Sequence, residues 1–154
     1  MKNFLKILFI FVMLSTNNVR ADLVKPNNGI EPYQVVKIQL RGLMNNDNPY
    51  KDVGIEQTWE FAHPNNQKYT GPLEKFKSML KGNDYSMLLN HSDHEVVEIF
   101  ISENVATYEV TVLDVEKKYY KFKWQVEKFN KEGPLKDCWL TTAVSQPISL
   151  GSSI

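Results

Sequence analysis

The second half of the chain alternates between apolar and polar residues with a period of two. The clearest stretch is residues 120–127, where Tyr120, Phe122, Trp124 and Val126 alternate with Lys121, Lys123, Gln125 and Glu127. Successive side chains of a β-strand point to opposite faces of a sheet. The pattern therefore predicts a strand with one buried face and one solvated face. Weaker runs predict further strands at residues 85–89, 97–101, 106–112 and 138–144.

The first half of the chain has helical periodicity instead. Apolar residues recur every three or four positions in three segments, which predict helices over residues 33–46, 52–62 and 70–81. Pro32 sits where the first helix can begin, because its missing N–H is not needed there. Helices followed by strands predict an α+β domain, with the N-terminal helices packed on an antiparallel sheet of four to five strands.

Residues 1–21 have the layout of an export signal. Lys2 and Lys6 precede a short apolar run over residues 7–14, and small residues stand before Asp22. This predicts a cleaved signal peptide and export to a periplasm, a thylakoid lumen or the extracellular space. The run is shorter than the ~20 apolar residues that span a bilayer. We therefore expect no stable membrane insertion after cleavage, with an uncleaved anchor as the alternative.

The remaining chain divides into three parts. Residues 22–31 are rich in Pro, Asn and Gly and predict a flexible lead-in. Residues 32–146 form the single α+β domain, and residues 147–154 are predicted to be a flexible tail.

Charge and cysteine content exclude several classes of protein. The chain has 18 basic and 18 acidic residues, and three of the basic ones lie in the leader, so cleavage leaves a net charge of −3. No Lys/Arg cluster provides the basic surface that a nucleic-acid partner needs. Cys138 is the one cysteine, so no internal disulfide forms, and its neighbour Trp139 suggests a buried, inert thiol.

Several short segments resemble a known family. They are Gln39-Leu40, Asn46-Asp47, Trp59-Glu60-Phe61-Ala62-His63-Pro64, Thr70-Gly71-Pro72 and Cys138-Trp139. Over residues 33–144 the chain resembles the family called domain of unknown function 4864. The resemblance implies a branch of the nuclear transport factor two-like, cystatin-like superfamily, in which helices pack on a strongly curved antiparallel sheet to form an open cone. Because that superfamily hosts isomerases, dehydratases, transport adaptors and accessory domains, the resemblance implies no particular activity.

His63 is the one candidate for acid–base chemistry. It follows the second predicted helix, where the helix dipole would favour its protonated form. Facing a pocket, it could act as a general acid or base. The structural alternative is a helix-terminal histidine that is hydrogen-bonded to a local carbonyl.

A polar cluster follows the short strand at residues 85–89. It contains His91, Asp93, His94 and Glu95. A metal needs converging ligands, and this spacing is more typical of a solvated turn between strands. No metal site is predicted, and the absence of a glycine-rich phosphate loop predicts no cofactor.

Five residues are expected to surround a pocket. They are Gln39, Trp59, His63, Tyr85 and Trp124. Gln39 lies on the apolar face of the first predicted helix, where a buried amide must find partners. The favoured function is a non-catalytic binding or accessory domain for a small apolar ligand or a protein partner, as a monomer or homodimer. The alternatives are an isomerase- or dehydratase-type enzyme that uses His63, and a structural subunit with a flat apolar patch.

Overall fold

A computed structural model of the chain describes residues 22–152. It contains α1 (Pro32–Met44), α2 (Val53–Glu60), α3 (Pro64–Thr70), α4 (Leu73–Leu80), β1 (Asp93–Ile101), β2 (Val105–Leu113), β3 (Lys118–Lys128), β4 (Trp139–Val144) and β5 (Ile148–Ser152). A single 3-10 turn, Ser86–Leu88, joins the helical half to the sheet. The predicted α+β class, with helices preceding an antiparallel sheet, is confirmed.

The sheet is antiparallel and open. Its order is β1-β2-β3-β4, and β5 also pairs with β3. β4 and β5 lie on the same side of β3, opposite its C-terminal and N-terminal halves respectively. The register places Tyr108 opposite Trp124 and Val110 opposite Phe122. All four of these side chains are buried, so the period-two pattern predicts the buried face of β2 and β3 correctly.

Helix α1 covers the buried face of the sheet. Pro32 occupies its first turn, and the Glu31 N–H donates to Gln34 Oε1 at 2.9 Å, which organises the start of the helix. Its inward stripe consists of Val35, Val36, Gln39, Leu40 and Leu43. Gln39 is therefore a polar residue in an otherwise apolar stripe.

Helices α1 and α2 approach each other through two glycines. A Cβ added to Gly54 would lie 2.0 Å from the Gly42 carbonyl oxygen. The connecting loop is held by Asn46, whose Oδ1 accepts from the Ile55 N–H at 2.9 Å and whose carbonyl accepts from the Gly54 N–H at 3.1 Å. Because Asn46 is buried, these bonds hold the first turn of α2 in place against α1.

Three local predictions are wrong. Residues 64–70 form α3, which the sequence pattern does not predict because none of its residues is buried, whereas the third predicted helix, residues 70–81, corresponds to α4. Residues 85–89 form a 3-10 turn instead of a strand. The predicted tail contains β5, which pairs with β3 from Lys121 to Lys118.

The lead-in is docked on the helices. The Val24 N–H donates to Gln57 Oε1 at 2.8 Å, and Gln57 Nε2 donates to the Val24 carbonyl at 2.9 Å. Ile30 packs against the core cluster. The predicted signal peptide, residues 1–21, lies outside the described residues. Within residues 22–152, no helix has the length and apolar character needed to cross a membrane.

Candidate functional site

A cavity of about 120 Å³ lies between the helices and the sheet. Its wall is formed by residues of the four helices, the segment after α2, the region of the 3-10 turn, β3 and β4. The apolar part of its wall includes Leu43, Ala62, Phe76, Met79, Leu80, Leu88, Trp124 and Val144. An apolar wall of this kind makes the cavity suited to an uncharged, apolar occupant.

Gln39 closes one side of the cavity within a buried hydrogen-bond network. Its Nε2 donates to the Thr58 carbonyl at 3.1 Å. Its Oε1 accepts from Trp124 Nε1 at 3.0 Å and from Thr141 Oγ1 at 2.6 Å. The amide thus connects α1, α2, β3 and β4, and its polar atoms bond to the protein.

Three further polar side chains in the wall also bond to the protein. Thr58 Oγ1 donates to the Gly54 carbonyl at 2.8 Å, and Thr70 Oγ1 donates to the Asn66 carbonyl at 2.9 Å. Tyr85 Oη donates to the Val144 carbonyl at 3.2 Å. Burial raises the pKa of Tyr85, so this donor stays protonated at neutral pH.

The cavity reaches the surface beside α3 and α4. Asn66, Thr70, Tyr85 and Val144 are partly exposed members of its wall, and Met79 is 36% exposed. The opposite side is formed by fully buried residues of α1 and β3. The site is therefore an open-ended pocket with an apolar interior.

Three of the five predicted pocket residues lie in this wall. They are Gln39, Tyr85 and Trp124. Trp59 does not line the cavity; its ring packs against Phe76, with the ring centroids 5.0 Å apart. Whether any of these residues contacts a ligand stays a prediction.

His63 is also absent from the cavity wall, and its predicted helix position is wrong. It is the N-cap of α3, where its Nδ1 accepts from the Asn65 N–H at 3.0 Å. Pro64 begins a new helix, so His63 faces the positive end of a helix dipole instead of the negative end. Burial against Phe129, 5.4 Å away between ring centroids, lowers the pKa of His63. The residue is therefore a structural cap with a neutral imidazole.

The predicted polar turn contains a hydrogen-bonded pair of histidines, one buried and one partly exposed, instead of a solvated loop. His91 is 2% exposed, and its Nδ1 lies 2.6 Å from the Leu88 carbonyl oxygen. His91 Nε2 lies 2.8 Å from His94 Nδ1, and His94 Nε2 lies 2.9 Å from Lys37 Nζ. One set of neutral tautomers satisfies all three contacts, with Lys37 donating to His94, His94 to His91 and His91 to Leu88.

This arrangement keeps both imidazoles neutral. Burial lowers the pKa of both rings, and together with the Lys37 ammonium it lowers that of His94 to about 4. Arg41 adds to this effect on His94, whereas Asp93 opposes it. Within residues 22–152, no three His, Cys, Asp or Glu side chains converge as metal ligands.

The histidine pair predicts a loss of stability in acid. In the unfolded chain the His94 imidazole has a pKa of 6.5, whereas in the folded protein its pKa is about 4. Stability is therefore fully present above pH 6.5 and decreases as the pH falls towards 4. We expect a loss of about 1–2 kcal/mol from His94, because its ring is partly exposed and screened by solvent. Denaturant unfolding at a series of pH values measures it.

The matched variants are His94→Asn and His63→Asn. Asparagine at position 94 retains a donor towards His91 but does not titrate, so we expect a shallower decrease in stability between pH 6.5 and 4. His63→Asn retains the cap and should change the pH dependence less, because His63 accepts from a backbone N–H and not from an ammonium group. A His94→Asn profile that is parallel to the wild-type profile would contradict the expectation.

Thr141 and Asn66 are among the polar cavity residues that the sequence does not indicate. Trp139, Leu140 and Thr141 are buried consecutively in β4, so no alternation indicates which of them faces inward. Asn66 lies in the polar helix α3. Only the packing of these elements on α1 reveals their position.

No family model, curated protein or solved structure matches the chain. The resemblance to the nuclear transport factor two-like superfamily therefore stays a prediction.

Proposed function

We propose that this protein is a non-catalytic binding domain that takes up a small apolar molecule in the cavity beneath α1 and α4. The observation that carries the proposal is the Gln39 network, which satisfies the buried polar groups of Gln39, Trp124 and Thr141. A cavity whose inner polar groups are already bonded presents mostly carbon to its contents and gives water little to bind. Transfer of an apolar molecule from water into such a space is favourable.

The size of the cavity limits the ligand. At about 120 Å³ it is smaller than most drug-binding pockets. It is similar to an engineered apolar cavity of about 150 Å³ that binds benzene or xenon. The proposed ligand is therefore about the size of one aromatic ring.

The enzyme alternative has less support. An isomerase or dehydratase needs a positioned acid or base within reach of the substrate. His63, the predicted base, caps α3 and is not in the wall. Among the described residues the one titratable side chain in the wall is Tyr85, whose hydroxyl donates to the Val144 carbonyl and whose pKa is raised by burial, so it is a poor base at neutral pH.

Export and family membership are part of the same proposal. The leader layout of residues 1–21 supports an exported binding protein. The α+β layout supports a place in the nuclear transport factor two-like superfamily. A homodimer or a protein partner is compatible with this proposal.

Benzene is the first probe for this proposal. At a free concentration about ten times its Kd, a ligand that binds only the folded state adds about 1.4 kcal/mol of stability, which is measurable as a rise in Tm. We also expect benzene to shift the indole N–H resonance of Trp124, which borders the cavity. The indole signals of Trp59 and Trp139 serve as internal controls.

The matched variants are Ala62→Leu and Ala143→Leu. Ala62 is a buried wall residue, so a leucine there fills the cavity and should abolish the rise in Tm. Ala143 is exposed on β4, and the same change there should leave the rise intact. An equal rise in the Ala62→Leu variant, or no rise in the wild type, would refute binding at this site.

A further inference from the structure

One polar side chain of the cavity wall is unlike the others. Gln39, Thr58, Thr70, Tyr85 and Thr141 all use their side chains to bond the protein. The Asn66 side-chain amide has no hydrogen-bond partner among the described residues; only its backbone carbonyl is used, by Thr70. Its amide oxygen and nitrogen thus remain free at the partly exposed end of an otherwise satisfied pocket.

We infer that the ligand is a small neutral amphipathic molecule of the phenol type, with its ring in the apolar cavity and one uncharged hydroxyl group bonded to the Asn66 amide at the opening. This inference rests on the proposed function, because it requires the cavity to bind a ligand. An amide both donates and accepts, so it can pair with a hydroxyl group in either direction.

The charge distribution around the cavity argues against an ionic ligand. The wall contains no cationic or anionic side chain among the described residues. Two cations that flank wall residues of α4 are already paired, Lys77 with Glu56 at 3.1 Å and Lys81 with Asp52 at 2.7 Å, and Lys75 is not in the wall. A carboxylate or ammonium group would therefore lose its hydration without gaining a partner, which costs several kcal/mol.

The geometry also determines the orientation of the bound ligand in the cavity. The inner surface around Leu43, Leu88 and Trp124 is fully buried and apolar, except for polar groups that are bonded to each other. A hydroxyl group placed there would lack a free partner and would be penalised by desolvation. At the Asn66 end the same hydroxyl group keeps a hydrogen bond.

The test compares three probes of similar ring size, namely benzene, phenol and benzoate, titrated into the purified protein at pH 7. Phenol is neutral at this pH, whereas benzoate is an anion. We expect phenol to bind about 3–10-fold more tightly than benzene, because one hydrogen bond to a neutral group contributes about 0.5–1.5 kcal/mol. Benzoate should bind at least about 100-fold more weakly than phenol, given the cost of desolvating its charge.

The variant Asn66→Leu isolates the contribution of the amide. It should remove the preference for phenol while the Kd of benzene changes little. Its control is Asn65→Leu, the same substitution at an exposed neighbouring position of α3 that is not in the wall. That variant should retain the preference.

The outcomes separate this inference from the proposed function. If benzene binds but phenol binds no more tightly, or if Asn66→Leu retains the preference, the assignment of ligand class is overturned while the cavity stays a binding site. Tight binding of benzoate would overturn the requirement for a neutral ligand. If none of the probes binds, the proposed function fails together with the inference.

Discussion

Replacement of Gly54 by alanine is expected to lower the free energy of unfolding by about 3–5 kcal/mol. The added Cβ would lie 2.0 Å from the Gly42 carbonyl oxygen, 2.5 Å from the Gly42 carbonyl carbon and 2.9 Å from Asn46 Cα. All three atoms belong to the backbone, so no side chain can rotate away. Helices α1 and α2 would have to move apart, with a loss of packing around Ile55. Equilibrium unfolding in urea measures the change.

The control for this prediction is Gly42→Ala on the facing helix. Its Cβ would have its nearest contacts at 3.3 Å, with Gln57 Cβ and the Gly54 carbonyl oxygen, so these neighbours need to shift by only a few tenths of an ångström. Alanine is also favoured over glycine inside a helix by about 1 kcal/mol, which offsets part of the crowding. We expect Gly42→Ala to stay within about 1 kcal/mol of the wild type. If Gly54→Ala were equally mild, the close contact of the two helices would be refuted.

The variant Gln39→Leu is expected to cost about 2–4 kcal/mol, because each buried polar group left without a partner costs about 1–3 kcal/mol. Leucine is similar in size, so the loss reflects hydrogen bonding rather than a cavity. Trp124 Nε1 and Thr141 Oγ1 would lose their strongest acceptor, and the Thr58 carbonyl would lose a donor. Urea unfolding again provides the measurement.

Two further variants test the origin of that loss. Gln146→Leu makes the same change at an exposed position and should be nearly neutral. In the double variant Gln39→Leu, Thr141→Val, no threonine hydroxyl is left without a partner. The loss in the free energy of unfolding should therefore be smaller than the sum of the losses in the two single variants by about 0.5 kcal/mol or more. Strict additivity would show that the two side chains do not share a network.

Local periodicity explains why much of the fold was predictable. In β3 the alternation from Tyr120 to Val126 identifies both the strand and its buried face, because the two-residue repeat is a property of the extended chain itself. In α1 the apolar stripe and Pro32 identify the helix and its start for the same reason. These signals need no knowledge of the partner surface.

The errors occur where burial does not follow the local period. Helix α3 buries no residue and thus has no apolar stripe. Strand β5 is exposed along its length, so only its hydrogen bonds to β3 identify it. His63 was assigned to the end of one helix although Pro64 begins the next, and this changes both its role and the direction of its pKa shift.

The sequence alone is enough to predict that helices precede an antiparallel sheet, which faces of α1 and β3 are buried, and that Gln39 needs a buried partner. The tertiary structure alone decided which partners it has. Trp124 and Thr141 lie 85 and 102 positions further along the chain. The same packing excludes Trp59 and His63 from the cavity wall and places Asn66, whose side-chain amide has no partner among residues 22–152, at its opening. The physical reason is that periodicity shows which side of a segment faces solvent. A cavity, in contrast, is formed between segments that are far apart in the sequence.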